Sequence, residues 1–158
     1  MNRSIVATNR NESAPLSFFN ALTFIRTTSA ETGGAFGLIE QLAPTGSGSP
    51  YHVHHAEDET FYLLEGEIEF LSEGKRFVGR AGACVVLARD VPHGFRVIGT
   101  TPARYLILVS PGGFEGFVAA LAQPMNEAKI PEPTEPDMPK IMKAAGQYGI
   151  EILGPLPV

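Results

Sequence analysis

Residues 46–66 read GSGSPYHVHHAEDETFYLLEG, and the parsing of this stretch decides the fold. Gly46 and Gly66 punctuate its ends as turns. Between them lie two short runs that read as strands, near 50–55 and 59–65. On a strand, residues i and i+2 share a face about 6.6 Å apart, so His52 and His54 point the same way and His55 points the opposite way. Imidazoles placed so can converge on one ion at bond lengths of about 2.1 Å. Glu59 opens the apolar run TFYLL and is expected at the rigid start of a strand, whereas Glu57 and Asp58 are expected in a solvated loop. The last of the chain's four histidines, His93, stands in ARDVPHGF and could close the site from a distant strand. A single buried histidine is commonly a hydrogen-bonded core residue. The joint pattern of His52, His54, Glu59 and His93 is what points to a metal.

Outward from this stretch the same texture continues. Short apolar runs near 21–28, 35–43, 67–72, 75–78, 83–88, 93–98 and 103–109 are separated by glycine-bearing turns, the signature of an antiparallel sandwich or barrel. In Glu67-Ile68-Glu69-Phe70-Leu71, Ile68 and Phe70 share one face and the glutamates the other. After Pro111 the texture changes. Phe114–Leu121 is compatible with a short amphipathic helix, and Met138–Tyr148 reads as a second, with Asp137 as its N-cap and Gly149 at its C-terminal end. Between them Pro131, Pro133, Pro136 and Pro139 deny the chain a regular ladder or helix, so that segment is expected to run extended over the surface, with a lid over the barrel mouth as one role. The organisation expected is a loose arm at 1–14, an all-β domain at 15–112, and a helical appendage with its Pro-rich connector at 113–158.

Composition bounds the function. The chain has 158 residues, 44% hydrophobic and 18% charged, with a formal net charge of -5. That suits one domain with a real core. No basic run offers a footprint for nucleic acid or an anionic membrane surface, and neither partner is expected. Cys84 is the only cysteine, which excludes an intrachain disulfide and multi-thiolate zinc sites; within GACVVLA it is expected in the core. The first residues lack the apolar segment of a secretory signal and no stretch has the length of a membrane span, so a cytoplasmic location is expected.

The spacing resembles the cupin superfamily. Its first motif is glycine, five residues, His-x-His, three or four residues, Glu, six residues and glycine, and Gly46, His52, His54, Glu59 and Gly66 match at every position. In its second motif Gly82 and His93 match, while Ala88, Asp90 and Val97 stand where the family shows Pro, Gly and Asn. The resemblance covers roughly residues 35–110 and implies a jelly-roll (double-stranded β-helix) barrel. It also implies one divalent transition metal (iron, manganese, nickel, cobalt, copper or zinc) held inside by His52, His54, Glu59 and His93. The stretches HVHHAEDETFYLLEGE, SPGGFEGF and QYGIEILGP look like single-domain, quercetin-dioxygenase-like cupins. That likeness implies a dioxygenase acting on a small aromatic or enol-type molecule, with Glu59 as both ligand and general base. If Glu59 and His93 face inward, alternation sends Phe61, Leu63, Phe95 and Val97 inward too, and with Phe70 they would line a substrate pocket or simply form core. A sugar or sugar-phosphate isomerase would need inward arginine or lysine, for which Arg26, Arg96 and Arg104 are the strand candidates. A non-catalytic binding module is the third alternative. A homodimer is expected, through Leu16–Phe19 or the C-terminal helices.

Overall fold

A computed structural model describes residues 5–158 and shows two antiparallel sheets facing each other. After a 3-10 turn at Arg10–Glu12 come β1 (Leu16–Phe18), β2 (Ala21–Thr27), α1 (Ser29–Thr32), β3 (Gly37–Ala43), β4 (Tyr51–His54) and β5 (Asp58–Glu65). Then follow β6 (Glu67–Ser72), β7 (Lys75–Arg80), β8 (Cys84–Leu87), β9 (His93–Ile98) and β10 (Ala103–Ser110). The chain ends with α2 (Phe114–Leu121), β11 (Gln123–Pro124), α3 (Met138–Gln147) and β12 (Ile150–Gly154). The larger sheet has the order β11-β1-β2-β3-β10-β5-β8 and the smaller the order β12-β4-β9-β6-β7. This is the all-β jelly roll that the sequence implies.

Alternation builds the core. In β10, Ala103, Tyr105, Ile107 and Val109 are buried while Leu108 and Ser110 face out. In β5, Glu59, Phe61 and Leu63 are buried and Tyr62 and Leu64 are exposed. From the opposite sheet come Ile68, Phe70 and Val97. The rings of Phe61, Phe70, Phe95 and Tyr105 meet at mid-barrel, with Phe61 5.2 Å from Phe70 and 5.1 Å from Phe95. Gly66 is required where β5 turns into β6: its φ is +78°, and a side chain there would meet the Ala103 backbone at 2.7 Å.

Each expected strand is present, its ends shifted by at most two residues. β1, β11, β12 and the single turn of α1 were not foreseen, because elements this short carry no detectable period. β11 and β12 matter, since they extend both sheets from the segment after residue 112. Leu16–Phe18 is hydrogen-bonded on both edges, to β2 and β11, so it is no open edge for a partner. Cys84 is exposed and not in the core: β8 is an edge strand, and Cys84 lies opposite Tyr62 on the outer face. Of the expected arm, residues 1–4 lie outside the described residues and 5–12 are exposed. The Pro-rich connector has no regular structure as far as 137, and 132–137 are exposed, but Pro139, expected to deny a helix, stands in the first turn of α3, where a missing N–H is tolerated. Asp137 Oδ1 accepts the Lys140 N–H as the cap of α3. Among the described residues no helix is long and apolar enough to cross a membrane.

Candidate metal centre

The first ligand pair is created by the pleat of β4. His52 and His54 share its inner face, and His93 opens β9 directly opposite His52. Glu59, the second residue of β5, arrives from the other sheet. All four are buried, and one donor atom from each lies within 4.8 Å of the others. Two donors on opposite sides of one ion are separated by about 4.2 Å at bond lengths of about 2.1 Å, so a contraction of a few tenths of an ångström closes the set.

The hydrogen bonds behind the imidazoles test whether the site fits a metal. His52 Nδ1–H donates to Pro50 O at 2.8 Å, His93 Nδ1–H to Val91 O at 2.9 Å, and His54 Nδ1–H to Glu57 Oε1. Each of these acceptors fixes the proton on Nδ1 and leaves Nε2 facing the centre, the tautomer that a ligating histidine needs. On the inner side, Glu59 Oε2 lies 2.9 Å from His93 Nε2 and 3.4 Å from His54 Nε2. Three imidazole nitrogens and one carboxylate oxygen suit a divalent first-row transition ion, and they leave positions open on an ion that prefers six ligands.

Electrostatics act on these donors in different directions. Burial lowers the His52 pKa to about 4, so the ring is neutral near pH 7. Burial opposes ionisation of Glu59, but the surrounding imidazoles, His54 foremost, outweigh it and hold the carboxyl near 2. Burial also opposes protonation of His54, yet Glu59 and then Glu57 raise its pKa.

The structure thus brings together the four residues named as ligands, and it places His55 outside, where Nδ1 lies 2.7 Å from Asp90 and Nε2 3.1 Å from Glu151. Glu57 corrects the sequence reading. It is not in a solvated loop but 3% exposed, behind His54. The signal was the i, i+3 spacing from His54, which becomes a contact only because the chain turns between β4 and β5. Asp58 is part-exposed and pairs with Arg89 at 3.1 Å.

Beside the centre lies a chamber of about 70 Å³. Of the expected pocket residues, Phe61 and Phe95 line it. Leu63, Phe70 and Val97 do not; they are at most 2% exposed and belong to the closed core, Phe70 as part of the ring cluster itself. Walls the sequence reading missed come from β1 and α2: Phe18, Phe114 and Phe117, with the Phe114 ring 5.1 Å from that of His54. Gln41 and Tyr105 also face the chamber but bond to each other at 3.0 Å. Among the described residues no arginine or lysine lines it. Arg26 and Arg104 are held by Glu40, each at 2.8 Å, and Arg96 by Glu69 at 3.1 Å.

Residues 38–109 match the family model described as Cupin domain. Among curated proteins, the chain is 26% identical over 125 residues to quercetin 2,3-dioxygenase of Bacillus subtilis, covering 78% of this chain and 37% of that protein. It is 28% identical over 74 residues to an uncharacterized protein of Methanocaldococcus jannaschii, covering 47% of this chain and 59% of that one. The chain therefore spans less than two thirds of these relatives. Among solved structures, KdgF from Halomonas sp. superposes with a TM-score of 0.63 at 16% identity, over 72% of this chain and 99% of that one. An RmlC-like cupin from Shewanella frigidimarina gives 0.62 at 16%, over 73% and 99%. At such identities the likeness is one of fold.

Proposed function

We propose, from the premise that residues 38–109 match the cupin domain, that the protein is a mononuclear metal-dependent dioxygenase acting on a small aromatic or enol-type molecule. The observation that carries the reading is the donor set: three buried imidazoles with Nδ1 occupied and Nε2 facing inward, and one buried carboxylate. A divalent ion held there supplies Lewis acidity, which acidifies an enol hydroxyl, and open positions for a second reactant.

The chain's own groups do the rest. Glu59 is ionised, so it is acceptor-only and can take a hydroxyl proton at Oε2. Phe61, Phe95 and Phe114 exclude water from the chamber and favour an apolar reactant. A phosphorylated sugar finds no cation there among the described residues, since Arg26, Arg96 and Arg104 are engaged by glutamates away from the chamber. The likeness to a quercetin dioxygenase supports the same class without extending to substrate.

The test is oxygen consumption by protein loaded in turn with manganese, iron, cobalt and nickel, given quercetin and smaller enols in air. Uptake with at least one metal and one enol is expected. No uptake in any combination refutes the oxygenase reading and leaves a binding protein. We also propose a homodimer, supported by the apolar Tyr62, Leu64, Val86 and Leu108 on the outer face of the larger sheet. Sedimentation showing only monomer at micromolar concentration refutes it.

A further inference from the structure

The chamber is too small for most of what the proposed chemistry would act on. Its volume is about 70 Å³, whereas a cavity of about 150 Å³ is what admits a benzene ring in a protein core. A second cavity of about 580 Å³ adjoins it on the outside, walled by β1, the Pro-rich connector and the start of α3. The two share Phe18, Phe19, Ser47, Gly48, Pro50 and Ile152, so these residues form the neck between them.

Phe19 is out of keeping with its position. It and Asn20 form the two-residue turn that joins β1 to β2, with Phe18 paired to Ala21. Their φ angles are +48° and +62°, as in a type I′ hairpin, whose central positions favour asparagine, aspartate and glycine. A phenylalanine at positive φ holds backbone strain that those residues avoid or bear more easily. Hairpin formation does not call for that ring; the neck gives it a use. The ring is half-buried, 4.3 Å from Phe18 and 6.4 Å from Phe117, with both cavities against it. The second turn residue holds the far wall: Asn20 Oδ1 accepts the Thr134 N–H at 2.9 Å, and Asn20 Nδ2 donates to Thr134 O at 3.4 Å.

We propose that the two cavities form one substrate site in two parts, and that Phe19 determines its specificity by setting the width of the neck. The substrate class is then an extended molecule: a narrow enol or hydroxy-carbonyl head reaches the four-residue centre, and a bulkier body stays in the outer cavity. That body is uncharged or only weakly charged, because among the described residues the outer walls carry Glu135, Asp137 and Lys140 as their charged groups, which give no net cationic site. The inference rests on the proposed function for the chemistry of the head, and on the two cavities alone for the neck.

The experiment uses zinc-loaded protein, which binds chelating heads without turnover, and two hydroxamates. Acetohydroxamate is small enough to pass the neck; 1-naphthohydroxamate carries its bulk directly on the head. Phe19→Gly suits the positive φ and removes the ring, Phe19→Asn does so with a residue that tolerates the turn, and Phe19→Trp narrows the neck. Thermal unfolding of each variant confirms folding. The expected result is that naphthohydroxamate binds about tenfold more tightly to the Gly and Asn variants than to the parent, a change of about 1.4 kcal/mol. Acetohydroxamate should stay within about twofold in those variants, and the Trp variant should weaken naphthohydroxamate further. Equal changes for both ligands, or none for naphthohydroxamate, overturn the proposal. Should neither hydroxamate bind better with zinc than without it, the proposed function fails on its own. The neck is then read in metal-free protein with the neutral naphthalene dye prodan: brighter binding in Phe19→Gly sustains it and unchanged binding overturns it.

Discussion

Replacing Glu57 tests whether the centre is set by its ligands alone. Glu57 touches no other donor of the set, yet its carboxylate accepts the His54 Nδ1–H in a place where neither side chain exceeds 3% exposure. Glu57→Ala leaves that N–H buried without an acceptor, which costs about 1–3 kcal/mol of folding stability in the metal-free protein. It also frees the ring to rotate or to exchange tautomers, and loss of such an outer partner costs about 10–100-fold in metal affinity. That factor corresponds to about 1.4–2.8 kcal/mol. Glu57→Gln keeps an amide oxygen that can accept the same bond, so its loss should fall at or below the lower end, about tenfold. The assay is competition for zinc or cobalt against a chromogenic chelator, with the cobalt visible spectrum reporting ligand geometry. A folded Glu57→Ala protein that binds metal within about twofold of the parent would refute the reasoning, and so would a Gln variant as weak as Ala.

His52→Ala removes a ligand and should abolish most metal uptake, whereas His55→Ala should leave it within about twofold, measured by elemental analysis after dialysis. Cys84 should react with a thiol reagent in the native protein at the rate of an exposed cysteine; protection until unfolding would contradict its place on the outer face of β8. Glu115, whose burial is outweighed by the N–H groups of Ser29 and Gly113, has its pKa lowered below the ordinary 4.5. The stability it contributes is therefore present above pH 4.5 and is lost as pH falls through the folded value, so Glu115→Gln should flatten the acid side of a urea-midpoint profile and leave its neutral-to-basic shape alone. Asp90 adopts φ +63°, so Asp90→Gly should unfold within about 1 kcal/mol of the parent while Asp90→Val should cost about 1–3 kcal/mol, by denaturant titration.

What the sequence disclosed follows the range of each signal. Period-two alternation is local, so β5, β6, β9 and β10 and the shared face of His52 and His54 were legible from their own residues, whereas Glu59 and His93 were reached through strand onset and the spacing of the cupin motifs. Glu57 was not, because its burial depends on how β4 turns into β5, and a Glu-Asp-Glu run in a loop looks solvated. The pocket was half legible. Alternation gave the direction of Phe61, Leu63, Phe95 and Val97 but not their depth, and depth separates chamber wall from closed core. Phe18, Phe114 and Phe117 reach the chamber through tertiary packing of β1 and α2, for which the sequence carries no register.

The departures from the second motif show how the centre tolerates them. Where the family has glycine, Asp90 takes the left-handed conformation itself, one that aspartate enters more readily than most residues. Its N–H donates to His54 O at 2.8 Å and its side chain bonds to His55 at 2.7 Å. One residue therefore ties the turn that delivers His93 to the strand that carries the first two ligands. His55, outside the four-residue cluster, gains a structural use by this route: its ring lies on the outside, held by Asp90 and Glu151. The second motif departs from the family in residue types, but the turn it encodes still delivers His93 opposite His52. Adjacent histidines at the end of β4 thus part: His54 joins the buried four-residue cluster, and His55, the next residue, braces the loop that carries His93.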